Sequence, residues 1–182
     1  MATKQFIISG TSGEPANNNT NYSSLMGNGN IAWAAAAGEA LCESIIPTAG
    51  KLSNFKVGIK TAPGAGKSWA FTIWKNTVAT TLSVTISDTA VFSSLDVDEV
   101  TVAAGDRVGV QAVPTGTPTA AGAVYWTAQF TPDTAGETIL LSNTSGDALT
   151  NSYFNTLIGG KAPDVTEFDA QTLFPTAGTL KK

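Results

Sequence analysis

The chain has 182 residues, 42% of them hydrophobic and only 13% charged, with a net charge of −4. Roughly a quarter of residues are charged in an ordinary globular domain, so this surface must be built largely from Thr, Ser, Asn, Gly and Ala. The acidic balance argues against binding a phosphate backbone, which needs a basic face. There is no apolar run long enough for a membrane-spanning helix, and the N-terminal Met1-Ala2-Thr3-Lys4-Gln5 lacks the apolar stretch of a signal peptide. With no histidine, the usual general base and commonest metal ligand are missing, and a single cysteine, Cys42, excludes an internal disulfide.

Residues 1–29 read as an N-terminal strand followed by a polar loop, with Asn17-Asn18-Asn19-Thr20-Asn21 at its centre. Ile31-Ala32-Trp33-Ala34-Ala35-Ala36-Ala37 is alanine-rich and suits a helix by propensity. Its counterpart in an internal repeat, near residues 161–166, contains Pro163 and no alanine run, so an extended or irregular segment is expected. The same repeat aligns Ala40, Cys42, Ser44 and Ile46 with Phe168, Ala170, Thr172 and Phe174. The alternate positions, Glu43 and Gln171, are polar in both copies. Cys42 is therefore expected to point inward as a small apolar residue, rather than act as a reactive thiol, which needs a basic neighbour.

From residue 55 onward the pattern alternates with a period of two. Phe55, Val57 and Ile59 form one such set; Trp69, Phe71 and Ile73 another, opposed by Ala70, Thr72 and Trp74. Leu82, Val84 and Ile86 follow, then Val100 and Val102, then Val108, Val110 and Ala112. Val124, Trp126 and Ala128 close the series, opposed by Tyr125, Thr127 and Gln129. These are half-buried antiparallel strands. Turn residues separate them at Pro63-Gly64-Ala65-Gly66, Lys75-Asn76-Thr77, Ala104-Gly105-Asp106 and Pro114-Thr115-Gly116-Thr117-Pro118. Short strands at this spacing predict an all-β, antiparallel, jelly-roll-like β-sandwich over residues 30–132, with extended N- and C-terminal segments.

Two segments imitate chemical motifs. Thr61-Ala62-Pro63-Gly64-Ala65-Gly66-Lys67-Ser68 nearly matches the phosphate-binding loop G-x-x-x-x-G-K-[ST]. Thr61 replaces its first glycine, and strand alternation follows where the motif needs a helix N-terminus. A Gly-rich hairpin between two strands is the expectation. Asp96-Val97-Asp98-Glu99 is the one acidic cluster. It suits a solvated rim better than a calcium site, which needs six or more oxygens. Among the aromatics, Trp69 and Trp126 fall on apolar faces. Trp74 and Tyr125 fall on the opposite ones, where exposed rings mark a subunit interface or a ligand platform.

Residues 133–182 begin a second copy of the chain's own start. Phe6-Ile7-Ile8-Ser9-Gly10-Thr11-Ser12-Gly13 returns as Ile139-Leu140-Leu141-Ser142-Asn143-Thr144-Ser145-Gly146. Tyr22 with Leu25-Met26-Gly27 returns as Tyr153 with Leu157-Ile158-Gly159, and Pro47-Thr48-Ala49-Gly50 as Pro175-Thr176-Ala177-Gly178. A repeat this long is a domain rather than a solenoid unit. The tail is expected to pack back on the sandwich, to pair with another subunit or to lead into a further domain.

The runs from Pro47 to Phe55, Thr61 to Thr72, Val84 to Ala90 and Val102 to Val108 resemble β-sandwich modules of tailed-bacteriophage virion proteins, the kind found in capsid decoration proteins, fibres and tail appendages. The resemblance covers about residues 45–130, and Thr77 departs from it where a hairpin glycine is expected after Asn76. It implies a virion structural protein with no catalytic site and no cofactor. It further implies a homo-oligomer, most simply a trimer, that contacts other virion proteins such as major capsid or tail proteins. The expected interface residues are Trp74, Tyr125, Tyr153 and Phe154. The rival readings are a carbohydrate- or receptor-binding adhesin module that engages a host-surface glycan, and a fragment of a longer enzyme.

Overall fold

A computed structural model of the protein describes residues 5–27, 33–35 and 42–137. Among them there is no helix. Ten strands are formed: β1 (Phe6–Ser12), β2 (Asn21–Ser24), β3 (Ala34–Ala35), β4 (Ser44–Ile45), β5 (Gly50–Ile59), β6 (Gly64–Lys75), β7 (Val78–Asp88), β8 (Phe92–Val102), β9 (Arg107–Thr115) and β10 (Val124–Pro132). They make two antiparallel sheets. Sheet A runs β1-β10-β5-β8, and sheet B runs β3-β2-β9-β6-β7, with β4 also paired to β9. The protein is an antiparallel β-sandwich. From β5 to β10 the chain changes sheet at every connection except the β6–β7 hairpin.

The core lies between the sheets and is built by the alternation already visible in the sequence. Phe55, Val57 and Ile59 from β5, Trp69, Phe71 and Ile73 from β6, Leu82, Val84 and Ile86 from β7, and Val124, Trp126, Ala128 and Phe130 from β10 are all buried. Each large side chain buried this way contributes about 1.5–3 kcal/mol. Trp33 joins them, its ring centroid 5.6 Å from that of Trp126 and 6.2 Å from that of Phe71. Its indole N–H donates to the Gly13 carbonyl at 2.8 Å, and that of Trp126 to the Leu25 carbonyl at 2.8 Å. A buried indole N–H needs such a partner.

Several expectations are revised. The sandwich does not start at residue 30: β1 pairs with β10 from Phe6↔Phe130 to Ser12↔Val124, and β2 pairs with β9. Each sheet thus takes a strand from residues 1–29, because Phe6 and Ile8 on β1 carry apolar side chains that complete the core. The Gly-rich segment is not a hairpin. It leaves sheet A at Ile59 and enters sheet B at Gly64, and it zips to the β9–β10 connection through Lys60 N–H to Ala123 O, Thr61 N–H to Ala121 O and Thr119 N–H to Pro63 O, at 2.8–3.0 Å. Within the alanine-rich stretch, Ala34–Ala35 is extended and pairs with β2, as expected. The tail from residue 138 onward, with Tyr153 and Phe154, lies outside the described residues.

Cys42, Ser44 and Ile46 are buried together, in line with the inward face assigned to them. Glu43, placed on the polar side by the repeat, also loses its solvent: its side chain is 2% exposed, with the Arg107 guanidinium 3.1 Å from Oε2. That distance is an ion pair, although the alignment is not that of a hydrogen bond.

Candidate interaction surface

Of the seven large apolar side chains left exposed among the described residues, four (Ile7, Phe92, Val97 and Tyr125) lie on sheet A, while Ile45 and Val78 lie on sheet B and Val91 lies between β7 and β8. One row across the outer face of sheet A reads Thr11 (β1), Tyr125 (β10), Gly58 (β5) and Phe92 (β8). Alternation turns all four outward, since Trp126, Val57 and their neighbours point in. A Cβ on Gly58 would overlap the Tyr125 ring at Cε2 and Cζ. The absent side chain lets that ring lie across β5, a close approach that only glycine allows in a strand. Tyr125 remains 51% exposed and Phe92 56%. Toward the other end of the sheet Ile7 on β1 is 77% exposed, and Val97, within the register shift of β8, is 86% exposed.

Polar groups fill the rest of this face and largely neutralise one another. Lys56 pairs with Asp96 at 3.1 Å, and Lys51 pairs with Glu99. The hydrogen bond that Lys51 donates to the Glu99 carboxylate, and then the charge of Glu99, raises the Lys51 ammonium above its ordinary pKa. Two acids of the run, Asp96 and Glu99, are thus matched to lysines of β5; among the described residues no group of acidic or cysteine side chains is placed to hold a metal. Asn54, at φ +52°, shifts the register of β5 against both neighbours and reaches Gln129 through its side-chain amide. This bulge twists the face between the Tyr125–Phe92 row and Ile7.

Sheet B presents a different outer face. Its central row joins Tyr22 (β2), Gln111 (β9), Thr72 (β6) and Ser83 (β7). Gln111 donates to the Tyr22 hydroxyl at 3.1 Å, and Thr72 and Ser83 share a hydrogen bond of 2.8 Å. Trp74 packs edge-on against Tyr22, centroids 5.6 Å apart. Tyr22 and Thr72 are buried despite facing outward. Trp74 and Tyr125 thus stand on opposite sides of the sandwich and cannot belong to one patch. The exposed ring that accompanies Tyr125 is Phe92, which the alternation pattern did not single out; the isolated Gly58 inside an alternating strand was the available signal.

A polar cluster ties the β6–β7 and β8–β9 turns together. Asn76 and Thr77, at φ +49° and +68°, form the two-residue hairpin turn. Both angles are positive, as the twist-matched hairpin turn demands. The Asn76 side-chain amide donates to Asp106 Oδ1 at 2.7 Å, and its carbonyl accepts from Arg107 N–H at 2.8 Å. Asp106 Oδ2 accepts from Ala103 N–H at 2.8 Å, with Lys75 Nζ 3.6 Å away. The Ala103 amide, then the Asn76 amide and the Lys75 charge, hold the Asp106 carboxyl below its ordinary pKa. In the motif resembling a phosphate loop, Gly66 N–H donates to Asp88 Oδ1 at 2.7 Å. An amide that would have to face phosphate is occupied by a carboxylate, and the segment is already strand β6 from Gly64 onward.

No model of a known protein family matches the chain, and no curated protein matches it.

Proposed function

We propose that the protein is a non-enzymatic structural component of a bacteriophage particle — a capsid decoration, head fibre or tail appendage protein — that assembles as a homo-oligomer through the outer face of sheet A. The observation that carries this reading is the set of exposed apolar side chains on that one sheet: Ile7, Phe92, Val97 and Tyr125. Scattered apolar residues are normal on a surface, whereas aromatics gathered on one row mark a contact. The distribution of chain-adjacent strands between two sheets supports a jelly-roll description, an architecture used by capsid proteins. The low charge of the chain leaves few side chains to desolvate when copies pack together.

A trimer is the simplest symmetric product, with major capsid or tail proteins as further partners and the virion as its location. Light scattering on the full chain should give about three times the 18.6 kDa chain mass; a stable monomer would remove the reading. One observation favours a second reading, a glycan-binding adhesin module. The Tyr125 ring lies across Gly58 beside Phe92 and the Thr11 position, a ring platform flanked by a hydroxyl. Ring-proton shifts of Tyr125 on adding host glycans, in a chain that stays monomeric, would favour it.

A further inference from the structure

The repeat supplies two segments for one place at the edge of sheet A. Ile139-Leu140-Leu141-Ser142-Asn143-Thr144-Ser145 matches β1 at every inward apolar position: Ile139 stands for Phe6 and Leu141 for Ile8. By hydropathy alone, either segment suits the edge of β10, and register there is set by this same alternation. The two differ in kind at one inward position, where Gly10 is replaced by Asn143.

Gly10 is paired with Trp126, and the Trp126 indole lies against it. A Cβ at residue 10 would sit 2.6 Å from Cε2 and Nε1 of Trp126 and 2.8 Å from the backbone nitrogen of Gly27. Neither neighbour can give way. Trp126 is buried and held by its bond to the Leu25 carbonyl, and Gly27 is held by its N–H bond to the Ser24 carbonyl at 2.8 Å and by the Ser24 hydroxyl, which donates to its carbonyl at 3.0 Å. The second copy keeps the Gly27 equivalent as Gly159 and loses only the glycine that accommodates the tryptophan.

We propose that Gly10 reserves the open edge of β10 for residues 6–12, and that Asn143 bars the near-copy at residues 139–145 from that edge in its own or a neighbouring copy of the chain. The two segments then cannot exchange, and indiscriminate strand swapping through this edge is blocked although the sequences are otherwise alike.

The test uses the full chain with Cys42→Ala. Ser9 and Thr127 face each other across β1 and β10, their hydroxyl oxygens 3.5 Å apart. Under mild oxidation S9C/T127C should form a disulfide, and S142C/T127C, its equivalent for the second copy, should form at least tenfold less. Exchanging the two residues, G10N/N143G, should reverse that preference. A bond from residue 142 to residue 127 with Asn143 in place would overturn the proposal, as would an unchanged preference after the exchange. Should the exchanged chain not fold, G10A decides: the added methyl should lower the thermal midpoint by about 5 °C, and an unchanged midpoint overturns the proposal.

Discussion

The two faces of sheet A use the same device to different ends. On the inner face the Trp126 indole lies against Gly10; on the outer face the Tyr125 ring lies across Gly58. These are successive residues of β10, each opposite a glycine of a flanking strand. Inside, the ring is enclosed, hydrogen-bonded and joined to Trp33. Outside, half of the ring still meets solvent. A glycine opposite an aromatic therefore reports close approach of a ring to the backbone, and only the face decides whether the ring builds the core or a surface for another molecule.

That contrast is broken most severely from the inside. Trp126→Ala removes a buried ring and leaves the Leu25 carbonyl without its donor; it should cost about 3–5 kcal/mol in denaturant unfolding. Arg107→Ala leaves the Glu43 carboxylate buried without its cation, and we expect a loss of about 2 kcal/mol, recovered in large part by adding Glu43→Gln. Asp106→Ala unties the two turns and should cost about 1.5 kcal/mol at neutral pH. Because its folded pKa is depressed, that contribution is present above the ordinary carboxylate pKa of 3.8 and is lost as pH falls through the lower folded value. The stability curves of wild type and variant should therefore converge only below about pH 4. Thr77→Gly should instead stabilise by about 0.5–1 kcal/mol, since a β-branched residue sits at φ +68° in the hairpin. Compared at a chain concentration low enough that both are monomeric, the outer-face pair Tyr125→Ser/Phe92→Ser should change unfolding by about 0.5 kcal/mol or less. A cost near that of Trp126→Ala would make the outer row part of the fold and not a contact surface.

The six strand segments with clear alternation, at residues 55–59, 69–74, 82–86, 100–102, 108–112 and 124–128, all lie within strands, and their apolar sets face the core. A period of two says which residues share a face, and burial of one face settles which is inner. It does not say to which sheet a strand belongs. Trp74 and Tyr125 therefore looked alike in the sequence and stand on opposite sides of the molecule. The membership of β1 depends on β10, more than a hundred residues away, so no local pattern distinguishes it from a free arm. The first half of β8 was hidden for another reason: the register shift opposite Asn54 breaks its alternation, and Phe92 and Val97 point to solvent. Edge strands managed by charge and bulges lose the pattern that reveals strands. Thr77 was visible as a departure from hairpin chemistry, and its positive φ gives that departure a physical cost.

The central claim is that the outer face of sheet A joins copies of the chain. Light scattering on the full chain, beside its Tyr125→Ser/Phe92→Ser variant, tests this directly. The account predicts a stable oligomer for the native chain and a folded 18.6 kDa monomer for the variant. A native chain that is monomeric, or a variant whose mass equals that of the native oligomer, would contradict it.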